Sequence, residues 1–364
     1  MPEWNPPVRF AALAQAYPGE CLCWVTAQER GRYRLWSAEG QCHGQVSGRF
    51  MYEADGPAAY PAVGDYVTTL PWQGEEAVIQ RVLPRNSVFI RKAAGTRREE
   101  QAVAANVDIL FVCMALNRDF NLRRLERYMA LGWESGALPV VVLTKGDLCP
   151  EREALLLQAR RAAPGAEVLV TSAAEADGYK ALLPYLEPGK TAAFVGSSGV
   201  GKSTLMNCLM GQERQLTGAV GEDGRGRHTT TRRELLCLPG GAMLIDTPGM
   251  RELGLWEAEE GLTHAFADME ALAARCRFHD CTHTGEPGCA LRQALERGEM
   301  EEKRYRSYLK LLEENRQAAM GRDYLAAKEK NSSRSQKQTK PIGRNKEVPW
   351  ESLFAEKKRT NTVP

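Results

Sequence analysis

Short apolar stretches separated by Gly- and Pro-containing turns make up residues 1–92. The stretches are rich in aromatic and β-branched side chains and alternate in part with polar residues, which is typical of half-buried strands. In order they read ECLCWVT, RYRLW, QCHGQV, VGDYVTTL and AVIQRVL. Several short strands in a segment of this size favour an oligonucleotide-binding (OB) fold β-barrel, although another small β domain would show a similar pattern.

The pattern changes between residues 93 and 255, where longer apolar runs alternate with segments of helical periodicity. Each run is followed by a polar or Gly-rich loop. The runs are DILFVCMAL, LPVVVLT, EVLVTSA, TAAFVGSSG and AMLIDTPG. Buried strands that alternate with helices predict a mostly parallel α/β sheet, and such sheets bind ligands at the carboxyl ends of their strands.

Two further segments complete the chain. Residues 256–327 show a helical pattern around a cluster of Cys and His, including an apolar stripe in EEKRYRSYLKLLEE that we expect to pack in a core. Residues 328–364 are polar, basic and almost free of apolar runs. We therefore expect a tail that is disordered in isolation.

The composition is that of a globular protein. Apolar residues make up 43% and charged residues 26% of the 364-residue chain, which are ordinary values for a soluble protein. The amino terminus has no apolar segment of signal-peptide length, and the longest apolar stretch, residues 102–116, is too short to span a bilayer. We expect a cytoplasmic monomer that does not contact a membrane. Its ten cysteines should be reduced, so a cluster of them points to metal.

The most specific motif is the phosphate-binding loop GSSGVGKST, which fits G-x-x-x-x-G-K-[ST]. It follows the run TAAFV and precedes the helical segment STLMNCLM, as its mechanism requires. Glycines let backbone N–H groups surround a phosphate, the lysine reaches the β and γ phosphates, and the serine hydroxyl ligates Mg2+. The predicted nucleotide-binding residues are Gly196, Ser197, Ser198, Gly199, Val200, Gly201, Lys202, Ser203 and Thr204.

Two later stretches supply the groups expected around the γ-phosphate. In MLIDTPG, Asp246 would lie near Mg2+ and Gly249 would offer its backbone N–H to the phosphate. The preceding stretch GRGRHTTTRRE holds the expected switch threonine that ligates Mg2+, and a solvated basic loop is the alternative. The sequence does not distinguish Thr229, Thr230 and Thr231, and we take Thr230 as the candidate.

The segment TKGD follows the apolar run LPVVVL and matches the guanine-binding loop [NT]-K-x-D. The Asp147 carboxylate would accept hydrogen bonds from the N1 and N2 donors of guanine, and the stem of Lys145 would pack over the ring. Adenine offers no such pair of donors, so the loop predicts GTP rather than ATP. Ser-Ala after the strand EVLVT matches the supporting guanine loop. The predicted guanine-binding residues are Thr144, Lys145, Gly146, Asp147, Ser172 and Ala173.

These elements occur in an unusual order. The guanine loops come before the phosphate loop, the switch threonines and Asp-x-x-Gly, whereas most GTPases begin with the phosphate loop. The order is a circular permutation, which leaves the arrangement in space intact because the usual termini lie close together and can be joined. It also places the Cys/His cluster directly after the Asp-x-x-Gly segment, which is the second switch of a GTPase.

The cluster RCRFHDCTHTGEPGC has the spacing C-x4-C-x-H-x5-C within a short loop. Three thiolates and one imidazole suit tetrahedral zinc, and four protein ligands leave no open position, so we expect a structural site. His279 could compete as a ligand if the loop took a different path. We expect the cysteines of the β domain to be core or edge residues instead. The predicted zinc ligands are Cys276, Cys281, His283 and Cys289.

With TKGD, GSSGVGKST, GRGRHTTT, DTPGMRE and CRFHDCTHTGEPGC in this order, the chain closely resembles the small-ribosomal-subunit biogenesis GTPases of bacteria, the RsgA type, over about residues 15–320. The resemblance implies GTP hydrolysis that the small subunit stimulates, late in maturation of that particle, and binding to its rRNA. Thr144 stands where Asn is commoner, but it keeps a hydroxyl. The resemblance also implies an OB-fold domain, a circularly permuted GTPase domain and a helical zinc-binding domain, which we place at residues 1–92, 93–255 and 256–327. The basic tail (328–364) follows from composition alone.

The expected catalytic groups are Lys202, Asp246, Gly249 and His228. Met250 occupies the position where many GTPases have a glutamine that orients the attacking water. We therefore expect slow intrinsic hydrolysis that accelerates when the ribosome orders the switches. His228, beside the switch threonines, is the candidate for positioning water, and a histidine that faces RNA or phosphate is the alternative.

The OB domain and the tail are expected to contact RNA phosphates.

Two other classes of protein share parts of this pattern. A non-enzymatic RNA-binding scaffold with a vestigial nucleotide site would have no need of an intact Lys202, Ser203 and Asp246. A P-loop ATPase that acts on RNA would have no need of Asp147. GTP turnover, and competition between GTP and ATP, separate these classes.

Overall fold

The computed structural model describes residues 4–29, 31–92, 100–172, 175, 177–211, 233–246 and 259–317. Its strands are β1 (Cys21–Glu29), β2 (Arg32–Ser37), β3 (Gly40–Val46), β4 (Tyr66–Thr69), β5 (Glu76–Val82), β6 (Val88–Lys92), β7 (Glu100–Ala105), β8 (Ile109–Ala115), β9 (Leu138–Thr144), β10 (Glu167–Val170), β11 (Thr191–Val195), β12 (Arg233–Cys237) and β13 (Met243–Asp246). Its helices are α1 (Val8–Ala14), α2 (Gly48–Glu53), α3 (Leu122–Ser135), α4 (Arg152–Ala162), α5 (Lys202–Met210), α6 (Glu259–Ala265), α7 (Ala267–Ala273), α8 (Ala290–Glu296) and α9 (302–317). None of the helices in these ranges is long and apolar enough to cross a bilayer.

The first five strands close into a barrel. They pair in the order β1-β2-β3-β5-β4, and β4 pairs back to β1, with Trp24 opposite Tyr66. β3 and β5 run parallel, and every other pair is antiparallel. This closed topology confirms the predicted OB fold. Its interior contains Cys23, Val25, Tyr33, Leu35, Cys42, Val67, Ala77 and Ile79.

The cysteines of the barrel are packing residues, as expected. Burial raises the pKa of the Cys23 thiol to about 12 and that of the Cys42 thiol to about 11. Neutral thiols of this kind pack like small apolar side chains. Among the described residues, the group of side chains that could hold a metal lies elsewhere, in the carboxyl-terminal region.

The second half of the sheet is parallel, in the order β10-β9-β8-β11-β13. Phe111 of β8 lies opposite Val140 of β9 and Phe194 of β11. Alternate residues of β8 enter the hydrophobic clusters on the two faces of the sheet: Leu110 on one face and Phe111 on the other. Both faces are therefore covered, which explains the unbroken apolar runs in these strands.

Two parts of the strand pairing were not predicted from the sequence. β12 pairs antiparallel with β13 on one side and with β1 on the other, where Ala27 lies opposite Glu234. It joins the barrel to the parallel sheet, so that the two form one 11-stranded sheet. The other is an antiparallel ribbon of β6 and β7, with Val88 opposite Ala105.

Helix α3 covers the predicted segment LRRLERYMALGWES and is held at both ends by its own sequence. The Asn121 side chain accepts a hydrogen bond from the Arg124 N–H at the start, and Gly136 adopts a left-handed conformation with φ of 82° at the end. Helix α6 packs directly on α3: a Cβ added to Gly261 would lie 2.1 Å from the Ala130 carbonyl oxygen. The α6–α3 contact therefore requires glycine at this position.

Candidate functional site

The loops that carry the predicted nucleotide-binding motifs meet at the carboxyl edge of the parallel strands. The phosphate loop follows Val195 at the end of β11, and the guanine loop follows Thr144 at the end of β9. Ser172 comes two residues after β10, and Asp246 is the last residue of β13. Because β8 lies between β9 and β11, the guanine and phosphate loops are two strands apart along one edge. This is where parallel α/β sheets bind ligands.

The phosphate loop has the conformation of an anion-binding turn. Gly196 and Gly201 have φ of 147° and 104°, values that favour glycine. A Cβ at Gly196 would lie 2.4 Å from the Cys113 carbonyl oxygen, so the close approach of the two strands excludes a side chain there. Lys202 begins α5, and its Nζ donates hydrogen bonds to the carbonyl oxygens of Gly196 and Ser197 at 2.7 and 2.6 Å. The lysine side chain therefore lies against its own loop at the amino terminus of α5, the kind of helix end that binds anions.

The supporting guanine loop orients Asp147. The Ser172 hydroxyl donates a hydrogen bond to Asp147 Oδ1 at 2.6 Å. The Gly146 N–H donates to the Thr171 carbonyl oxygen at 3.1 Å, which ties the guanine loop to the end of the neighbouring strand. One carboxylate oxygen is thus held by the protein. An ionised carboxylate has about four acceptor sites, so Asp147 retains acceptors for donors such as guanine N1 and N2.

Thr144 connects the guanine loop to the phosphate loop. Its side chain is buried, and its hydroxyl donates a hydrogen bond to the Val200 carbonyl oxygen at 2.6 Å. Val200 belongs to the phosphate loop. The hydroxyl therefore satisfies a backbone group between two binding loops, which gives a physical reason why threonine serves at this position.

A polar cluster behind the phosphate loop was not predicted. Asp119 follows β8 and accepts a hydrogen bond from the Ser197 hydroxyl, with an O–O distance of 2.5 Å. Arg124 Nη1 donates to Asp119 Oδ1 at 2.8 Å and to Ser197 Oγ at 3.0 Å. Partial burial opposes the negative charge, but the hydrogen bonds from Ser197 and Arg124 outweigh it and lower the pKa of Asp119. The amino-terminal end of α3 is therefore bonded to the phosphate loop.

Several predicted site residues lie outside the described residues. Asp246 is within them and ends β13, next to the strand that carries the phosphate loop, where a group near Mg2+ is expected. The predicted residues outside the described ranges are Ala173, His228, Thr229, Thr230, Thr231, Gly249 and Met250.

The four predicted metal ligands come together. The ligand atoms of Cys276, Cys281, His283 and Cys289 all lie within 4.8 Å of one another. His283 Nδ1 is 3.6 Å from Cys276 Sγ and 3.7 Å from Cys289 Sγ. A tetrahedral zinc site with ordinary Zn–S and Zn–N bonds has S–N edges of about 3.5 Å, so this donor set fits zinc.

The loop around the cluster is supported from both sides. Cys289 is the N-cap residue of α8, and the Ala290 N–H donates to Cys276 Sγ at 3.3 Å. His283 has a left-handed φ of 62°, and its carbonyl oxygen accepts a hydrogen bond from the Tyr305 hydroxyl of α9. Burial lowers the pKa of His283 and so favours the neutral imidazole that ligates metals. The alternative ligand His279 is wrong, because its side chain is 99% exposed and lies outside the cluster.

The fold and the site define a class: a P-loop GTPase whose guanine loops precede its phosphate loop. Comparison with known proteins agrees. The family described as RsgA GTPase matches residues 82–256. "Small ribosomal subunit biogenesis GTPase RsgA 2" of Lactiplantibacillus plantarum is 47% identical over 81% of this chain and 84% of its own. The RsgA of Opitutus terrae is 46% identical over 88% of this chain and 90% of its own. The chain belongs to the RsgA family.

Solved structures share the architecture. YjeQ from Thermotoga maritima has a TM-score of 0.60 and 27% identity, covering 81% of this chain and 98% of its own. YloQ, described as a circularly permuted GTPase, has a TM-score of 0.58 and 23% identity, covering 83% and 96%, which shows the fold. A second family, ABC transporter, matches residues 180–338, a range that contains the phosphate loop. The guanine loops lie before that range, and P-loop ATPases share the phosphate-loop motif.

Proposed function

We propose that the protein is a GTPase that binds the small ribosomal subunit and hydrolyses GTP late in maturation of that subunit, in the cytoplasm. One observation carries the choice of nucleotide: Ser172 holds the Asp147 carboxylate on the same sheet edge as the phosphate loop. Membership of the RsgA family supports the choice of partner, because its curated relatives are named for biogenesis of the small ribosomal subunit.

Each predicted residue has a chemical role in this proposal. Lys202 contacts the β and γ phosphates, and the Gly249 N–H contacts the γ-phosphate. Ser203, Thr230 and Asp246 would hold Mg2+, which would supply positive charge to the phosphates. Asp246 and the phosphate loop lie on neighbouring strands, which supports this ligand set.

Hydrolysis is slow in the free protein because Met250 cannot orient water. We propose His228 for this role on the ribosome. His228→Ala is expected to lower subunit-stimulated GTP turnover by about 100-fold, the range of general acid–base effects, with little change in GTP affinity. Turnover is measured at saturating subunits, with GTP affinity determined separately. A stimulated rate equal to that of the wild type would exclude His228 from the mechanism.

The metal centre binds one structural zinc ion in this proposal. Cys276, Cys281, His283 and Cys289 supply four ligands, which leaves no position for a substrate. The fit of the donor distances to a tetrahedron supports zinc. Zinc would fix the loop between α7 and α8, and through Tyr305 it would fix α9.

RNA contacts complete the proposal. The OB barrel and the basic residues 328–364 bind rRNA, the barrel through the surface that such folds use and the tail through phosphate contacts. The predicted domain bounds at residues 92, 255 and 327 remain predictions. We expect a monomeric protein that binds the subunit without a membrane.

Co-sedimentation with ribosomal subunits tests the proposed function. The protein is mixed with purified small or large subunits together with a non-hydrolysable GTP analogue, GDP or an ATP analogue. We expect pelleting with the small subunit in the presence of the GTP analogue, and less with GDP. Equal pelleting with both subunits, or with the ATP analogue, would contradict the proposal.

A further inference from the structure

A groove of about 710 Å3 lies between α3 and α9. We call it the α3–α9 groove. None of the described residues that line it is acidic, whereas six are cationic. The cationic residues are Arg123, Arg124, Arg127, Lys303, Arg306 and Lys310. A surface of this kind attracts a polyanion.

The six cations form two rows on facing helices. On α9, Lys303, Arg306 and Lys310 are spaced by three and four residues, so they share one face of the helix. At 1.5 Å per residue the row extends over about 10 Å. This length accommodates more than one phosphate of a nucleic acid strand. Two such rows exceed what a single phosphate ion requires.

The lysines and the arginines of the groove differ in their partners. Within the described part of the chain, Lys303 and Lys310 form no ion pair. The arginines are anchored by carboxylates that do not line the groove, which holds their guanidinium groups in place. These ion pairs are Arg123–Glu126, Arg123–Glu301, Arg124–Asp119, Arg127–Glu314 and Arg306–Glu302.

Arg124 belongs both to the groove and to the phosphate-loop cluster. It lines the groove and donates hydrogen bonds to Asp119 and to Ser197 of the phosphate loop. A phosphate bound in the groove would compete with Asp119 for this guanidinium. A ligand in the groove would therefore change the hydrogen bonds by which Arg124 and Asp119 hold Ser197 of the phosphate loop.

We propose that the α3–α9 groove binds the phosphate backbone of RNA and that Arg124 links this binding to the nucleotide site. The inference rests on the proposed function, because that function brings the protein to an RNA particle. A concave groove between two helices admits a strand into contact with both rows. A flat anionic bilayer would meet only the rims, so RNA is the occupant that the geometry favours.

The first test compares two charge-matched double variants. Lys303→Gln with Lys310→Gln neutralises two groove cations. Arg152→Gln with Lys180→Gln neutralises two cations outside the groove, each with a side chain that is 56% exposed. Affinity for purified small ribosomal subunits and for a generic single-stranded RNA is measured from about 0.05 to 0.3 M salt, a range over which phosphate contacts weaken steeply.

We expect the groove variant to lower the log–log salt slope by about 2, because each phosphate contact contributes about 1. Its affinity at 0.1 M salt should fall by roughly 50-fold, whereas the control should stay within about twofold of the wild type. A slope equal to that of the wild type would overturn the groove site. So would an equal loss in the control, or a loss of binding to phosphatidylglycerol vesicles without a loss for RNA.

The outcomes distinguish the groove from the proposed function. Failure of the wild-type protein to bind small subunits contradicts the proposed function itself. Wild-type binding that the groove variant retains in full contradicts the groove alone. Thermal unfolding shows whether the double variant folds. If it does not, the single variants Lys303→Gln and Lys310→Gln are each expected to lower the slope by about 1.

The second test concerns Arg124. If Arg124 links the sites, the nucleotide and RNA affect each other's affinity by the same factor. We expect the ratio of RNA affinities with the GTP analogue and with GDP to differ from one in the wild type. It should move towards one in Arg124→Gln and recover in part in Arg124→Lys. A wild-type ratio of one, or a ratio that Arg124→Gln leaves unchanged, would overturn the link.

Discussion

At the residue scale, the proposed choice of GTP depends on the Asp147 carboxylate and on the hydroxyl that orients it. Asp147 accepts a hydrogen bond from Ser172, which fixes the plane of its carboxylate at the end of β9. Thr144, three residues earlier, bonds to the phosphate loop. The guanine loop and the phosphate loop are therefore connected through residues 144–147. Single substitutions in or beside this segment should change nucleotide affinity.

Asp147→Asn tests whether Asp147 recognises guanine. The amide keeps the shape of the carboxylate but offers one acceptor and one donor group, so it loses the match to the N1 and N2 donors of guanine. We expect GTP affinity to fall by about 100-fold, since charge-assisted hydrogen bonds are lost, and affinity for xanthosine triphosphate to rise. Ser172→Ala removes only the orienting bond and should cost about tenfold or less. Competition binding measures both, and unchanged GTP affinity in Asp147→Asn would contradict the assignment.

At the element scale, α3 connects the nucleotide site to the carboxyl-terminal helices. Its start bonds to the phosphate loop through Arg124, and its end contacts α6 at Gly261. Between them, the fully buried Glu126 accepts hydrogen bonds from Arg123, from Arg304 and from Ser307. Arg304 and Ser307 belong to α9, so one carboxylate anchors α9 to α3.

Glu126→Ala should destabilise the protein by about 3 kcal/mol or more, because it leaves two arginines without a buried partner. Glu301→Ala is the control. Glu301 lies 4.0 Å from the same arginine, Arg123, but its side chain is 75% exposed. A surface pair of this kind contributes less than about 1 kcal/mol. Denaturation by urea measures both variants, and equal midpoints would show that Glu126 does not anchor α9.

The loop between α7 and α8, which carries the four predicted zinc ligands and which we call the metal loop, can be tested at this scale too. We expect metal analysis to find one zinc per chain, and chelation to lower the thermal unfolding midpoint, because metal affinity contributes to the stability of a structural site. Cys289→Ser should reproduce the effect of the chelator. Cys21→Ser, which replaces a barrel cysteine outside the cluster, should retain zinc. A wild-type protein without zinc, or one that chelators leave unchanged, would contradict the structural role.

The elements also show what sequence patterns can and cannot predict. The bounds of α3 follow from local signals, an Asn cap and a terminal glycine, and the metal ligands are local in sequence too. β12 has only five residues, and its pairing with β1 depends on contacts between distant parts of the chain. The bond between Ser197 and Asp119 joins residues 78 positions apart, and it arises only because β8 lies beside β11. Patterns along the chain carry no signal for such pairs.

At the scale of the whole molecule, the permutation determines which elements follow Asp246 in the chain. In the usual order the chain would continue from Asp246 into further strands of the sheet. Here the next described element is α6, which packs on α3 and leads to the metal loop. The barrel joins the β13 edge of the parallel sheet through β12. The nucleotide site thus lies in a sheet that both flanking regions contact.

The central claim is that the ribosomal small subunit activates this GTP site. The most direct measurement is the rate of phosphate release from GTP by the protein alone, with small subunits and with large subunits, and the same rates from ATP. We predict slow GTP hydrolysis alone, an increase on the order of tenfold or more with small subunits only, and no comparable hydrolysis of ATP. A GTP rate that small subunits leave unchanged, or an equal rate with ATP, would contradict the account.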